Sequence, residues 1–313
     1  MRGKSSEDPS LLKRGLDKLK AQFRAGFGRS KHNDKQSEAG IKDRIYSNTT
    51  FKTYAAAWCD FCQTMREVGY TCNGHRPRKL EEAVTFVPIY LEILKNRPGL
   101  MGAEKMSAYS IWTKFSGVAK VLELCASDYD LPPRHSTEIR RSRLATKSDS
   151  HFSEVRNSTL VTFCRTTGLR HNKELHKIRG SDLHEPEGDR PYILVKGKGG
   201  RIREAHLYGT DEEIALVVEL MHAAGPDKVW PKTSQNADVH SYRADYAVRV
   251  YRTYVRDLSL LSYHQLYFCR GEKKGTAYDR RALRIASREL GHSRVSVVAL
   301  YYLHGLTKEE THR

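Results

Sequence analysis

The sequence predicts a mainly α-helical chain in two domains, the second carrying a small antiparallel β-sheet. Three observations lead there. At 313 residues, with 39% hydrophobic residues, three Trp and nine Phe, the chain has apolar material for a core in each of two ordinary domains. Apolar residues recur at helical spacing through most of it. One stretch, PYILVKGKGGRIREAHL at 191–207, instead pairs two strand-like runs across a Gly-rich turn.

Taken in order, residues 1–40 are polar and basic, with LLKRGLDKLKAQFRAGF as their amphipathic element, and are expected to form a flexible arm that attracts a polyanion. Residues 41–130 read as a small bundle of about four helices. Its stretches are TFKTYAAAWCDFCQTMREVG, LEEAVTFVPIYLEILKNR and AEKMSAYSIWTKFSGVAKVLELCA, each bounded by Gly, Pro, Asn or Asp. Residues 131–151 open on Pro-Pro and carry five Lys or Arg against one Glu between 134 and 147, which predicts a basic linker. Residues 152–313 form the second domain. It starts with the helix SEVRNSTLVTFCRTTG and a second helix ending near Arg179, followed by the strand pair and further helices to the end.

Fifty-four Lys and Arg against 37 Asp and Glu leave a formal charge of +17, so a polyanion is the first partner to consider, and nucleic acid outranks a membrane surface. In RADYAVRVYRTYVRD, 243–257, basic residues are interleaved with tyrosines, which suits a helix that packs on one face and reaches phosphates with the other. A solvated basic helix would have the same composition. No run of about 18 apolar residues occurs and the first thirty residues carry charges throughout, so neither a membrane span nor a secretory signal is expected. The expected setting is intracellular.

Six cysteines without an export signal are expected to be reduced. Cys59-x-x-Cys62 and Cys72-x-x-His75 have the internal spacing of zinc-ligand pairs. Against zinc, Tyr54, Trp58, Phe61, Cys62 and Met65 make one buried stripe of an amphipathic helix, and we expect this second arrangement, with no metal and no cofactor.

Four separated pieces place a cationic or proton-donating side chain where a phosphate could be gripped: TGLRHNKEL with Arg170, VKGKGGRIRE with Lys198, DVHSYRADYA with His240 and Arg243, and LGHSR with His292. Tyr301 and Tyr302 follow the last. Alone, each is a weak signal. In this order and at these intervals they resemble the tyrosine recombinase (phage integrase) family. Its signature is an Arg after a Thr-Gly-hydrophobic turn, a hairpin Lys, a His-x-x-Arg, a Leu-Gly-His, and a Tyr nine or ten residues beyond that His. The resemblance is strong over 158–304. For 41–130 it rests on helical character and position alone, matching the family's SAM-like core-binding domain, and it does not cover the first forty residues.

The resemblance implies the tyrosine recombinase fold, with 152–313 as the catalytic domain, and a site-specific recombinase that cuts and rejoins DNA through a 3′-phosphotyrosine link, serving integration or excision of a mobile element or phage. It implies that Arg170, Arg243 and His292 contact the scissile phosphate, Lys198 protonates the leaving oxygen, His240 assists proton transfer and a C-terminal Tyr attacks. The partners implied are double-stranded DNA, further copies of the chain (a tetramer on synapsed DNA, a monomer or dimer when free) and accessory DNA-bending or directionality factors, in a cytoplasmic, nucleoid-associated setting. The chemistry fits the residue types. The phosphorane carries extra negative charge that two planar guanidiniums can bind bidentately, and a phenol of ordinary pKa near 10 needs cationic neighbours before it attacks.

Two spacings remain open: His292 plus nine is Tyr301, and His292 plus ten is Tyr302. Tyr302 is preferred, because the family's nucleophile is often followed by x-His, as in Tyr302-Leu303-His304, and Tyr301 continues the apolar run Val297, Val298, Leu300. Adjacent helical residues point about 100° apart, so one of the two is expected to face a phosphate. The chain departs from the family in two places. Glu174 follows Arg170 by four positions rather than the usual three, and 48 residues separate Arg243 from His292. That insertion, RDLSLLSYHQLYFCRGEKKGTAYDRRA, resembles a mobile-element subgroup and is expected to extend the helical domain beside the site. A type IB-like topoisomerase and a catalytically inactive DNA-binding protein are the rival readings.

Overall fold

A computed structural model describes residues 10–29, 31–36, 41–99, 104–135, 151–197, 202–270, 273–303, 305–307 and 310–311. The chain divides into two compact units, Met1–Ile139 and Arg140–Arg313.

The first unit is helical: α1 (Leu11–Gly26), α2 (Lys31–Gln36), α3 (Asn48–Glu67), α4 (Leu80–Ala83), α5 (Val87–Asn96) and α6 (Ala108–Leu122). Serines open three of these helices. Ser10, Ser47 and Ser107 each accept from the backbone N–H three residues on, at 3.4, 3.1 and 3.3 Å, satisfying a donor the first turn leaves over. The core gathers Trp58, Phe61, Phe86, Tyr90 and Phe115. The second predicted stretch is not one helix, because 80–96 breaks at a 3₁₀ turn, Val84–Phe86, ahead of Pro88.

Residues 11–26, assigned by sequence to a flexible arm, instead form α1, packed into this core. Leu11, Gly15, Leu19, Gln22 and Gly26 are buried at intervals of three and four, and the Trp58 indole N–H donates to the Leu12 carbonyl at 3.1 Å. The basic residues lie between those positions, so the helix can bury a stripe and keep its charge in water. Cys62 belongs to the same core, where burial pushes its thiol up to about 12, while Cys59 is exposed. Among the described residues no group of three or more His, Cys, Asp or Glu is gathered to hold a metal ion.

The second unit is mainly α with two small antiparallel sheets. After α7 (Ser158–Thr167) and a π-type turn (His171–Leu175) come β1 (Leu183–His184), β2 (Tyr192–Lys196) and β3 (Ile202–His206), ordered β1-β2-β3. Ile193 pairs with Ala205 and Val195 with Arg203, so Arg203 stands on the face that carries the buried Ile193 and Val195. Then follow α8 (Asp211–Ala224), α9 (Val239–Tyr254), the hairpin β4 (Leu266–Phe268) and β5 (Ala277–Asp279), α10 (Arg280–Glu289) and α11 (Val295–Tyr301). Ahead of α10 the described residues of the insertion form short elements rather than a further α-helix. They are two 3₁₀ turns, Leu258–Leu260 and Tyr263–Gln265, and the β4–β5 hairpin, sealed by buried Asp279, which pairs with Arg256 at 2.8 Å and caps α10. The helix expected to end near Arg179 is the π-type turn followed by a 3₁₀ turn at Gly180–Asp182. No helix among the described residues is long and apolar enough to cross a membrane.

Candidate active site

α7 ends at Gly168, whose φ of +60° is a conformation that side chains beyond glycine resist, and a Cβ there would meet the Tyr246 ring at 2.3 Å. The chain then turns so that Leu169 is buried and Arg170 opens the π-type turn. Within that turn the Leu175 N–H reaches back five residues to the Arg170 carbonyl at 2.9 Å. The Glu174 N–H donates to the same carbonyl at 3.2 Å. The Glu174 carboxylate accepts from the Arg170 N–H at 2.9 Å and pairs with the Arg170 guanidinium.

Glu174 is 1% exposed and is shared by three arginines: Arg170, Arg203 at 2.8 Å and Arg243 at 3.8 Å. Burial alone would raise its pKa, but the guanidiniums outweigh that and hold it below the ordinary carboxylate range. Three positive charges around one carboxylate leave two uncompensated within the set. Backbone carbonyls fix where those charges point. Arg243, fully buried in the first turns of α9, donates to the Gly168 and Leu290 carbonyls, and Arg170 donates to the same Leu290 carbonyl at 3.2 Å. Burial, reinforced by Arg170 and Arg203, lowers the Arg243 guanidinium to about 10. Arg170 keeps 27% of its side chain exposed and is the accessible lip of the group.

Leu290 closes α10, and Gly291 follows at φ +66° with Arg203 Cδ only 2.8 Å from where a Cβ would stand. This tight turn aims His292, whose N–H donates to the Ser287 carbonyl at 2.8 Å. Burial, then repulsion from Arg243, Arg170 and Arg203, lowers the His292 imidazole to about 4, so it is neutral at pH 7. Its Nε2 is buried without a hydrogen-bond partner among the described residues, as are Arg203 Nε and Nη1 and Arg243 Nε.

His240 and Arg243 share one face of α9, at i and i+3. Tyr302 sits among them just past the end of α11. Its ring lies 5.1 Å from the His240 ring and 5.3 Å from the His292 ring, with the Arg243 guanidinium carbon 5.7 Å away. Tyr302 is 5% exposed and Tyr301 38%. The structure therefore gathers Arg170, His240, Arg243, His292 and Tyr302 and leaves Tyr301 on the outer side of the helix end. Lys198, between β2 and β3, and His304 lie outside the described residues. Arg203 was not singled out from the sequence. Its signal was the alternation of RIREAHL, where Arg203 shares the phase of the buried Ala205 and Leu207.

Among solved structures, the chain resembles the XerH site-specific recombinase bound to palindromic difH substrate in a post-cleavage complex. Identity is 13%, the TM-score is 0.51, and the match covers 98% of this chain and 95% of that one. XerH bound to difH substrate in a pre-cleavage complex matches at 11% identity and a TM-score of 0.47, over 95% and 92% of the two chains. No family model and no curated protein matches the sequence. The fold is the tyrosine recombinase fold: mainly α, with a small antiparallel sheet.

Proposed function

We propose that the protein is a site-specific DNA recombinase that cleaves and rejoins strands through a 3′-phosphotyrosine intermediate, and that it moves a mobile element or phage into and out of DNA. The observation that carries this reading is the enclosure of the Tyr302 ring by His240, His292 and Arg243, beside guanidiniums with two uncompensated positive charges. A phosphodiester brings one negative charge and its phosphorane two, so the surplus matches the transition state better than the ground state. The resemblance to a recombinase in complex with its substrate supports the same reading.

Tyr302 Oη forms the bond to phosphorus as the bond to the 5′ oxygen breaks. The phenolic proton passes toward His240, and Lys198 gives a proton to the departing oxygen. Arg170 and Arg243 hold the equatorial oxygens, and neutral His292 donates one N–H to them. Rejoining reverses these steps with another strand's 5′ hydroxyl, and the phosphotyrosine ester conserves the bond energy between them. The partners are duplex DNA and other copies of the chain, four on two synapsed duplexes, with accessory bending or directionality factors.

The test is incubation with a labelled pool of nicked duplexes of randomised sequence, followed by a denaturing gel. Wild type and Tyr301→Phe are expected to give a protein–DNA adduct and Tyr302→Phe none. An adduct that survives in Tyr302→Phe reassigns the nucleophile, and no adduct from wild type favours a DNA-binding protein without strand cleavage.

A further inference from the structure

α11 is seven residues long and ends at Tyr301, and Tyr302 caps it, its N–H donating to the Val298 carbonyl at 3.0 Å. The carbonyl of Ala299 is one of those a helix leaves over in its last turn. A side chain from the insertion meets it: Lys273, in the loop of the β4–β5 hairpin, donates from Nζ to the Ala299 oxygen at 3.0 Å, and the Tyr278 hydroxyl stands 3.5 Å from the same oxygen. Beyond Tyr302 the hairpin takes hold again, where the Ala277 N–H donates to the Thr311 carbonyl at 2.7 Å. The insertion therefore grips the chain three residues before Tyr302 and nine residues after it.

We propose that Lys273 is a positioning residue for Tyr302, its ammonium on the Ala299 carbonyl fixing where α11 ends and so which way the phenol faces. This rests on Tyr302 as the nucleophile. A half-buried ammonium loses hydration, and burial accordingly lowers its pKa; the carbonyl and the negative end of the helix offset that loss. The contact has geometric consequences because Tyr302 is the residue at the helix end, with φ −127° and ψ −21° outside the helical region. Fraying of one turn rotates it away from His240 and His292. Among the described residues the other side-chain donor at that carbonyl is the more distant, neutral Tyr278 hydroxyl.

Lys273→Met keeps the stem and suits the half-buried loop, Lys273→Arg keeps the cation, and Lys273→Met with Tyr278→Phe removes both donors. In the DNA-free full chain, hydrogen exchange over 295–303 is expected to quicken about tenfold in the Met variant and more in the double variant, while α7 is unchanged and Arg restores protection. On the nicked duplex, adduct formation is expected to slow about tenfold at unchanged Kd, again with rescue by Arg. Unchanged exchange in both the Met and the double variant overturns the proposal, and so does equal acceleration in α7 or an Arg variant as defective as Met. A wild type that forms no adduct but shows this exchange pattern refutes strand cleavage and upholds Lys273 as the anchor of the Tyr302 segment.

Discussion

His292 faces three guanidiniums and is pressed into a partly dry turn, so the folded site refuses a proton that the unfolded chain accepts. The unfolded imidazole titrates near 6.5 and the folded one near 4, so between these values the unfolded state binds more protons and folding weakens as pH falls. The stabilising contribution is fully present above pH 6.5 and gone below 4. Urea melts at pH 7.5 and 5 are expected to show a smaller loss in His292→Gln than in wild type, and an NMR titration of the Arg203→Met protein is expected to show the His292 midpoint moved up toward 6.5. An unmoved midpoint removes Arg203 from the electrostatics of the site. The same residues mark how far the sequence could be read. Arg170, His240, Arg243 and His292 were legible because each stands in a short pattern whose spacing is local. The choice between Tyr301 and Tyr302 depended on where α11 stops, which a contact from distant Lys273 helps to set. Arg203 was harder to read: the alternation of RIREAHL gives its phase, but that this phase faces the core follows from its strand partners, with Ile193 and Val195 buried on the same face.

The Gly168 corner shows how one backbone position can set an element and a site together. It ends α7, its carbonyl receives Arg243, and the Tyr246 ring fills the space beside its Cα. Gly168→Ala is expected to cost about 2–4 kcal/mol, combining the left-handed penalty with overpacking. A urea midpoint in the variant within roughly 0.5 kcal/mol of wild type, the ordinary range of a surface change, would show that the corner relaxes freely. The helices α3 and α6 were legible in the sequence, since their apolar periodicity and the residues that bound them are local signals. Other elements were set by tertiary contact. The stripe of α1 had the periodicity of a packed helix, yet its charge read as an arm until Trp58 supplied a surface to bury it. In the π-type turn Glu174 meets Arg203 and Arg243 from two separate segments, and at the insertion's hairpin Asp279 meets Arg256. Neither pairing leaves a periodic trace.

Across the whole molecule the formal charge is +17, while the surplus within the arginine–glutamate group is two. Most of the cationic excess therefore lies away from the chemistry, and binding to duplex DNA is expected to depend on salt more than on any single site residue. Each phosphate neutralised releases condensed counterions and contributes about −0.9 to the slope of log affinity against log salt, so roughly six to ten contacts weaken binding by about 10³–10⁵ between 50 and 200 mM. Fluorescence anisotropy on a random duplex over that range measures the slope. Arg170→Ala removes one accessible cation, and the slope is expected to flatten by about one unit, leaving most of it in place, while adduct formation is lost. A change of less than about tenfold in wild-type affinity across the range would mean that the basic residues are not spent on phosphates. A slope that collapses in Arg170→Ala would mean that the site itself, rather than the charge spread over the chain, holds the DNA.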